Sequence, residues 1–120
     1  MIRVVNVAEK LSQIREYWSP HIVGTVNDMQ VKLTKLKGEF FWHHHEREDE
    51  MFLVLRGELT MRLRDADRVI RPGEFIIVPR GVEHCPVCAE EVELMLFEPA
   101  TTLNTGNVRN ERTREQLKHL

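Results

Sequence analysis

The chain is predicted to be all-β, a sandwich or barrel of antiparallel strands with helix only near its two ends. Short apolar or alternating runs rich in Val, Ile, Leu and Phe recur along it at roughly eight- to twelve-residue spacing, the pattern of a small β domain. Turn-forming pairs stand between them: Asn27-Asp28, Lys37-Gly38, Arg56-Gly57, Pro72-Gly73 and Arg80-Gly81, with Asp65-Ala66-Asp67 as a further break. Helical periodicity occurs only outside this region.

In chain order, Val7, Leu11, Ile14 and Tyr17 or Trp18 recur at helical spacing, so the first element is a helix over 6–18. Asn6 and Glu9 form its capping box, and Ser19-Pro20 ends it. Strands are predicted over 21–27, 29–37, 40–45, 50–56, 58–64, 68–71, 74–78, 83–87 and 91–98. A second helix near 112–119 follows the turn-prone stretch Thr101 to Asn107. The expected organisation is a single domain: an N-terminal helix and arm over 1–20, a barrel over 21–99, and a C-terminal loop and helix over 100–120. In the 50–56 strand both faces are apolar apart from Glu50, with Phe52 and Val54 on one and Met51, Leu53 and Leu55 on the other. Such a strand needs cover on both sides: the barrel interior on one, the N-terminal helix or a second copy of the chain on the other. A homodimer is therefore expected.

Composition sets the class. A chain of 120 residues with 42% hydrophobic content can bury one core. The net charge of -2, with acids and bases interspersed, leaves no basic footprint for nucleic acid or an anionic membrane. No run approaches the length of a membrane span, and the start from Met1 lacks the apolar core of a secretion signal, so a cytoplasmic location is expected. Two cysteines, Cys85 and Cys88, make no disulfide framework.

The most chemically loaded segment is Phe40-Phe41-Trp42-His43-His44-His45-Glu46-Arg47-Glu48-Asp49-Glu50. Alternate residues of a strand share a face, so His43 and His45 can aim neighbouring imidazoles at one ion, whereas on a helix the same rings would diverge by roughly 200°. Glu50 lies five residues on, and a further imidazole is available at His84. Alternation turns His44 away. The acidic run between His45 and Glu50 reads as a solvated turn, with Asp49 a weaker ligand candidate than Glu50. Three imidazoles and a carboxylate suit a divalent first-row ion (iron, manganese, nickel, cobalt, copper or zinc), while calcium and magnesium prefer oxygen shells.

Two spaced motifs then give a family resemblance. His43-x-His45, four residues, Glu50, six residues and Gly57 resemble the first cupin motif; Gly73, five residues, Pro79-x-Gly81, two residues and His84 resemble the second. The stretch from Gly38 to Cys88 carries both. The resemblance implies an antiparallel jelly-roll β-barrel holding one divalent ion through His43, His45, Glu50 and His84. Two departures stand out. Gly38 precedes His43 by five residues, one fewer than is common in the family, and Cys88 stands where the second motif commonly has asparagine.

Phe41 and Phe52 share strand parity with the ligands, and Cys88 shares it with His84, so these three are candidate pocket residues, with ordinary core as the alternative for the aromatics. Cys85-Pro86-Val87-Cys88 could be a redox pair, but buried inert thiols fit better without a βαβ context. The stretch from Thr102 to Asn107 has the polar groups of a lid as well as those of a plain loop, which is the favoured reading. No catalytic residue can be assigned. By analogy of fold and ligands, the expected function is metal-dependent chemistry of the dioxygenase or isomerase type on a small oxygenated molecule, the alternative being a non-enzymatic small-molecule binding or sensing domain with a structural metal.

Overall fold

The computed structural model describes residues 2–120; Met1, the first residue of the predicted arm, lies outside them. The elements are α1 (Val7–Ser12), β1 (His21–Val26), β2 (Met29–Glu39), β3 (Glu50–Arg56), β4 (Leu59–Leu63), β5 (Arg68–Ile70), β6 (Phe75–Val78) and β7 (His84–Pro99). All named strand pairs are antiparallel, in the order β1-β2-β7-β3-β6, with β4 pairing β7 and β5. The sheet closes through β7. Its first residues pair with β4 (His84↔Leu63, Val87↔Thr60), and its later ones lie between β2 and β3 (Leu96 opposite both Lys32 and Phe52). One 16-residue strand thus serves both walls of the barrel. The 83–87 and 91–98 runs are parts of this one strand. Among the described residues no helix is long and apolar enough to cross a membrane.

Strand parity fills the interior. Leu36 from β2, Phe52 and Val54 from β3, Leu59 and Met61 from β4, and Val92, Leu94 and Leu96 from β7 form one buried cluster. A smaller cluster lies on the outer face, where Leu11 and Ile14 cover Leu33, with Leu55, Met95 and Leu120 at its margin. The outer face of β3 is therefore covered at one end by the N-terminal helical segment. Gly57 turns β3 into β4 at φ +87°, and a Cβ there would stand 2.5 Å from the Glu91 carbonyl oxygen, so glycine is needed twice over.

Three expectations are corrected. The first helix has the predicted cap, with Asn6 Oδ1 accepting the Glu9 N–H at 3.0 Å, but it ends at Ser12. Beyond it, Tyr17 bridges to Lys35, and Trp18 turns to φ +59° with its N–H donating to the Lys35 carbonyl at 2.9 Å. Pairing with β2 overrides the helical periodicity.

Among the described residues no helix forms over 112–119. Lys118 O accepts the Ile22 N–H and Leu120 N–H donates to Ile22 O, both at 2.9 Å, so the tail runs along β1 and caps an otherwise open sheet edge.

The 40–45 run is not a regular strand. Phe40 N–H bonds Pro86 O at 3.0 Å, and His43 exchanges bonds with His84 at 3.1 and 2.9 Å, so three residues on this side advance against two on β7. That is the arithmetic of a bulge, and it reverses side-chain parity between Phe40 and His43.

Candidate metal centre

Three elements bring the four predicted side chains together. The segment after β2 supplies His43 and His45, β3 opens with Glu50, and β7 opens with His84. All four are buried, and one donor atom from each lies within 4.8 Å of the others. An ion 2.0–2.2 Å from each donor would hold any pair of donors at most about 4.4 Å apart, so the set closes on an ion with shifts of a few tenths of an ångström.

The tautomers follow from the backbone. His43 Nδ1 lies 3.0 Å from Phe41 O and His84 Nδ1 lies 2.9 Å from Val82 O. A carbonyl only accepts, so each Nδ1 carries the proton and each Nε2 presents its lone pair, as metal-binding histidines require. Glu50 Oε1 is 2.8 Å from His45 Nε2 and 3.2 Å from His84 Nε2. In neither contact does an N–H lie along the line to the oxygen. These three buried atoms thus have no hydrogen-bond partner. Unpaired, each would cost about 1–3 kcal/mol; a shared cation satisfies all three. This donor set fits a divalent first-row metal ion.

Electrostatics agree. Burial and the neighbouring His84 hold the His43 imidazole down at about 4, so it stays neutral.

Behind Glu50 stands a pair that the motifs did not reveal. Lys32 Nζ donates to Glu98 Oε1 at 2.8 Å with both side chains almost fully buried. Burial and the adjacent Glu50 raise the Glu98 carboxyl well above its usual range, and Lys32 offsets only part of this. Parity held the signal: Lys32 precedes Thr34 and Leu36 on the inner face of β2, and Glu98 follows Leu94 and Leu96 on that of β7.

A cavity of about 50 Å³ adjoins the cluster, with His43 and Glu50 in its wall. Trp18, Phe40, Phe52 and Leu96 give it an apolar lining, and Thr34 and Asn104 are its other polar residues. Thr34 Oγ1 is buried there without a partner, whereas Asn104 is engaged by Arg112 O and Arg114 N.

Of the three candidate pocket residues, Phe52 lines this cavity. Phe41 does not; the bulge gives its place to Phe40, on which Phe41 stacks at 4.0 Å. Cys88 lies in the core cluster instead, its thiol pushed up to about 11 by burial, and Cys85 is a second buried free thiol. His44 is turned out toward Glu46, and Asp49 is held by the Arg80 backbone and guanidinium.

The C-terminal tail braces the histidine segment. Asn107 Oδ1 accepts the His44 N–H at 2.8 Å, and Asn107 N–H donates to His44 O at 3.0 Å. Gly106, at φ +58°, lies so close that a Cβ would run into the His44 carbonyl oxygen and stand 3.1 Å from the His43 ring. With Asn104 in the cavity wall, the stretch read as a plain loop forms part of the site.

A family model described as "Cupin domain" matches residues 29–98. A cupin-2 domain protein of known structure from Shewanella frigidimarina is 42% identical, with a TM-score of 0.79 over 80% of this chain and 94% of that one. The uncharacterized protein YdbB of Bacillus subtilis is 32% identical over 85 residues, 70% of this chain and 75% of the relative. The structure of KdgF from a Halomonas species is 26% identical, with a TM-score of 0.59 over 67% of this chain and 78% of that one. With both motifs in place on a closed antiparallel barrel, and a family model covering more than half of its length, the chain belongs to the cupin family.

Proposed function

We propose that this protein is a metal-dependent enzyme acting on a small oxygenated organic molecule, with chemistry of the oxygenase type. The observation that carries this reading is the placement of the donor cluster against an apolar cavity walled by Trp18, Phe40, Phe52 and Leu96. A divalent first-row ion held by His43, His45, Glu50 and His84 would supply a Lewis acid with room left for substrate beside the protein ligands. The protein's part is orientation and exclusion of water. The Phe41 and Val82 carbonyls fix two imidazoles, and the aromatic wall sequesters the substrate.

An isomerase working on a hydroxyl-rich or phosphorylated sugar needs a base and several polar groups in the wall. The cavity offers Thr34 and an already engaged Asn104, and no lysine or arginine lines it. Its volume of about 50 Å³ also favours a compact, mainly apolar molecule.

The test is oxygen uptake by protein loaded anaerobically with Fe(II), offered a panel of small phenols and enolisable ketones. Uptake that disappears in His45→Ala is the expected result. Quenching of Trp18 fluorescence by panel members, with no turnover under any first-row ion, would instead establish a binding or sensing domain.

A further inference from the structure

We infer that residues 104–114 form a lid over the metal cavity, latched by Arg112, and that closure of this lid is coupled to metal binding at the histidine segment. The inference rests on the reading of this cavity as the substrate's site. Of the cavity wall, Phe40 and Asn104 are half-buried and the rest is buried, so these two residues mark its mouth. Arg112 covers both. Its guanidinium lies 5.5 Å from the centre of the Phe40 ring and 5.4 Å from that of Trp18, and its carbonyl oxygen accepts a hydrogen bond from Asn104 Nδ2 at 2.8 Å.

A substrate reaches the ion when part of this mouth moves, and the hydrogen bonds say which part. Phe40 N–H is fixed to Pro86 O, and the backbone and ring N–H groups of Trp18 are fixed to the Lys35 and Lys37 carbonyls. Asn104 is tied into its own loop instead. Its Oδ1 accepts the Arg114 N–H at 2.8 Å, and beside it Thr105 Oγ1 pairs with Thr113 Oγ1 at 2.8 Å. A compact loop whose ends meet and whose contacts are largely its own opens as a unit. Among the described residues, its hydrogen bonds to the barrel come from Asn107 and from Arg112, whose Nη1 donates to Glu39 O at 2.9 Å. Both flanks stay anchored, Thr102 to Pro99 O and the 118–120 tail to Ile22, so opening leaves the sheet intact.

The second attachment senses the metal site. Asn107 exchanges hydrogen bonds with the backbone of His44, which stands between the ligands His43 and His45, and Gly106 packs against the His43 ring. An ion gripping both imidazoles holds this segment in the conformation that the closed loop fits. Metal binding therefore favours the closed lid, and by linkage the closed lid favours the metal.

The test uses the full chain with Co(II) as the probe ion. In hydrogen–deuterium exchange followed by mass spectrometry, cobalt should slow exchange over residues 104–114 by roughly tenfold or more. Asn107→Ala should remove most of that slowing while peptides from β7 exchange as in wild type. Gating is read by stopped flow. Binding of imidazole to the cobalt-loaded protein, followed in the visible absorption of the ion, should reach a plateau rate set by lid opening, and Arg112→Ala should raise that plateau roughly tenfold. A loop whose exchange ignores cobalt, or imidazole rates that climb without a plateau and are unchanged in Arg112→Ala, would overturn the inference and leave the metal site standing. A wild type that binds no cobalt would overturn the reading of the cavity and the lid together.

Discussion

Substitution of Lys32 by methionine removes the cation from a group of buried charges behind the candidate metal centre. Lys32 and Glu98 are 1% and 2% exposed and 2.8 Å apart. At an effective dielectric of 20 their attraction is about 6 kcal/mol, against a desolvation cost of several kcal/mol for each ion. The intact pair is therefore close to neutral in its net contribution. Breaking it is another matter: in the Lys32→Met chain Glu98, beside Glu50 and with Glu98 Oε2 already unpartnered, loses the one cation that favours its ionised form. The expected loss is about 3–5 kcal/mol for Lys32→Met and a similar amount for Glu98→Leu. The double variant, with neither charge left, should fall within about 1–2 kcal/mol of wild type, far below the sum of the singles. Urea titration of the metal-free protein, followed by far-ultraviolet circular dichroism, measures all three. A loss for Lys32→Met within about 0.5 kcal/mol of wild type, the size of a surface change, would refute the reasoning.

Three further outcomes are expected. Gly106→Val forces a β-branched residue into the left-handed region and against His44 O, so it should cost about 2 kcal/mol or more in urea titration and lower metal affinity by displacing His43. Phe52→Ala removes a buried ring from the cavity wall and should cost about 3–5 kcal/mol in the same assay. Cys88 keeps its proton up to about 11 when folded, against 9.0 for an ordinary thiol, so its contribution is fully present below pH 9 and is lost as pH rises toward 11. Cys88→Ala should therefore lose less stability than wild type between about pH 8 and pH 10.5, and native Cys88 should resist iodoacetamide at about pH 8.

What the sequence revealed and what it hid divide along the reach of local pattern. His43, His45, Glu50 and His84 were legible because ligand chemistry restricts residue type and the motifs carry fixed spacing. Strand parity put Phe52 on the side of the ligands, and its ring lines the adjoining cavity. Parity failed at Phe41 because three residues of the 40–43 stretch oppose two of β7, a bulge set by long-range hydrogen bonds that no local pattern records. The helix expected over 6–18 stopped at Ser12 and the one expected over 112–119 did not form, for a related reason. Both segments had acceptable helical spacing, but their backbone groups pair with Lys35 and Ile22, partners distant in sequence. Lys32 and Glu98 were hidden differently. Each was visible at an inward-facing position, yet a charged residue in a strand is usually solvated, and only their mutual placement across β2 and β7 accounts for their burial.

One cation shared by Glu50 and the three imidazoles around it is the central claim. Its most direct measurement is a cobalt titration of tag-free, metal-stripped protein, followed by the visible d–d absorption of Co(II), for wild type, Glu50→Gln and His84→Ala. The expected result is saturation of wild type at one equivalent, with affinity lowered by roughly ten- to a hundredfold or more in each variant. A wild type that binds no cobalt, or variants that bind it with unchanged affinity and spectrum, would contradict the account.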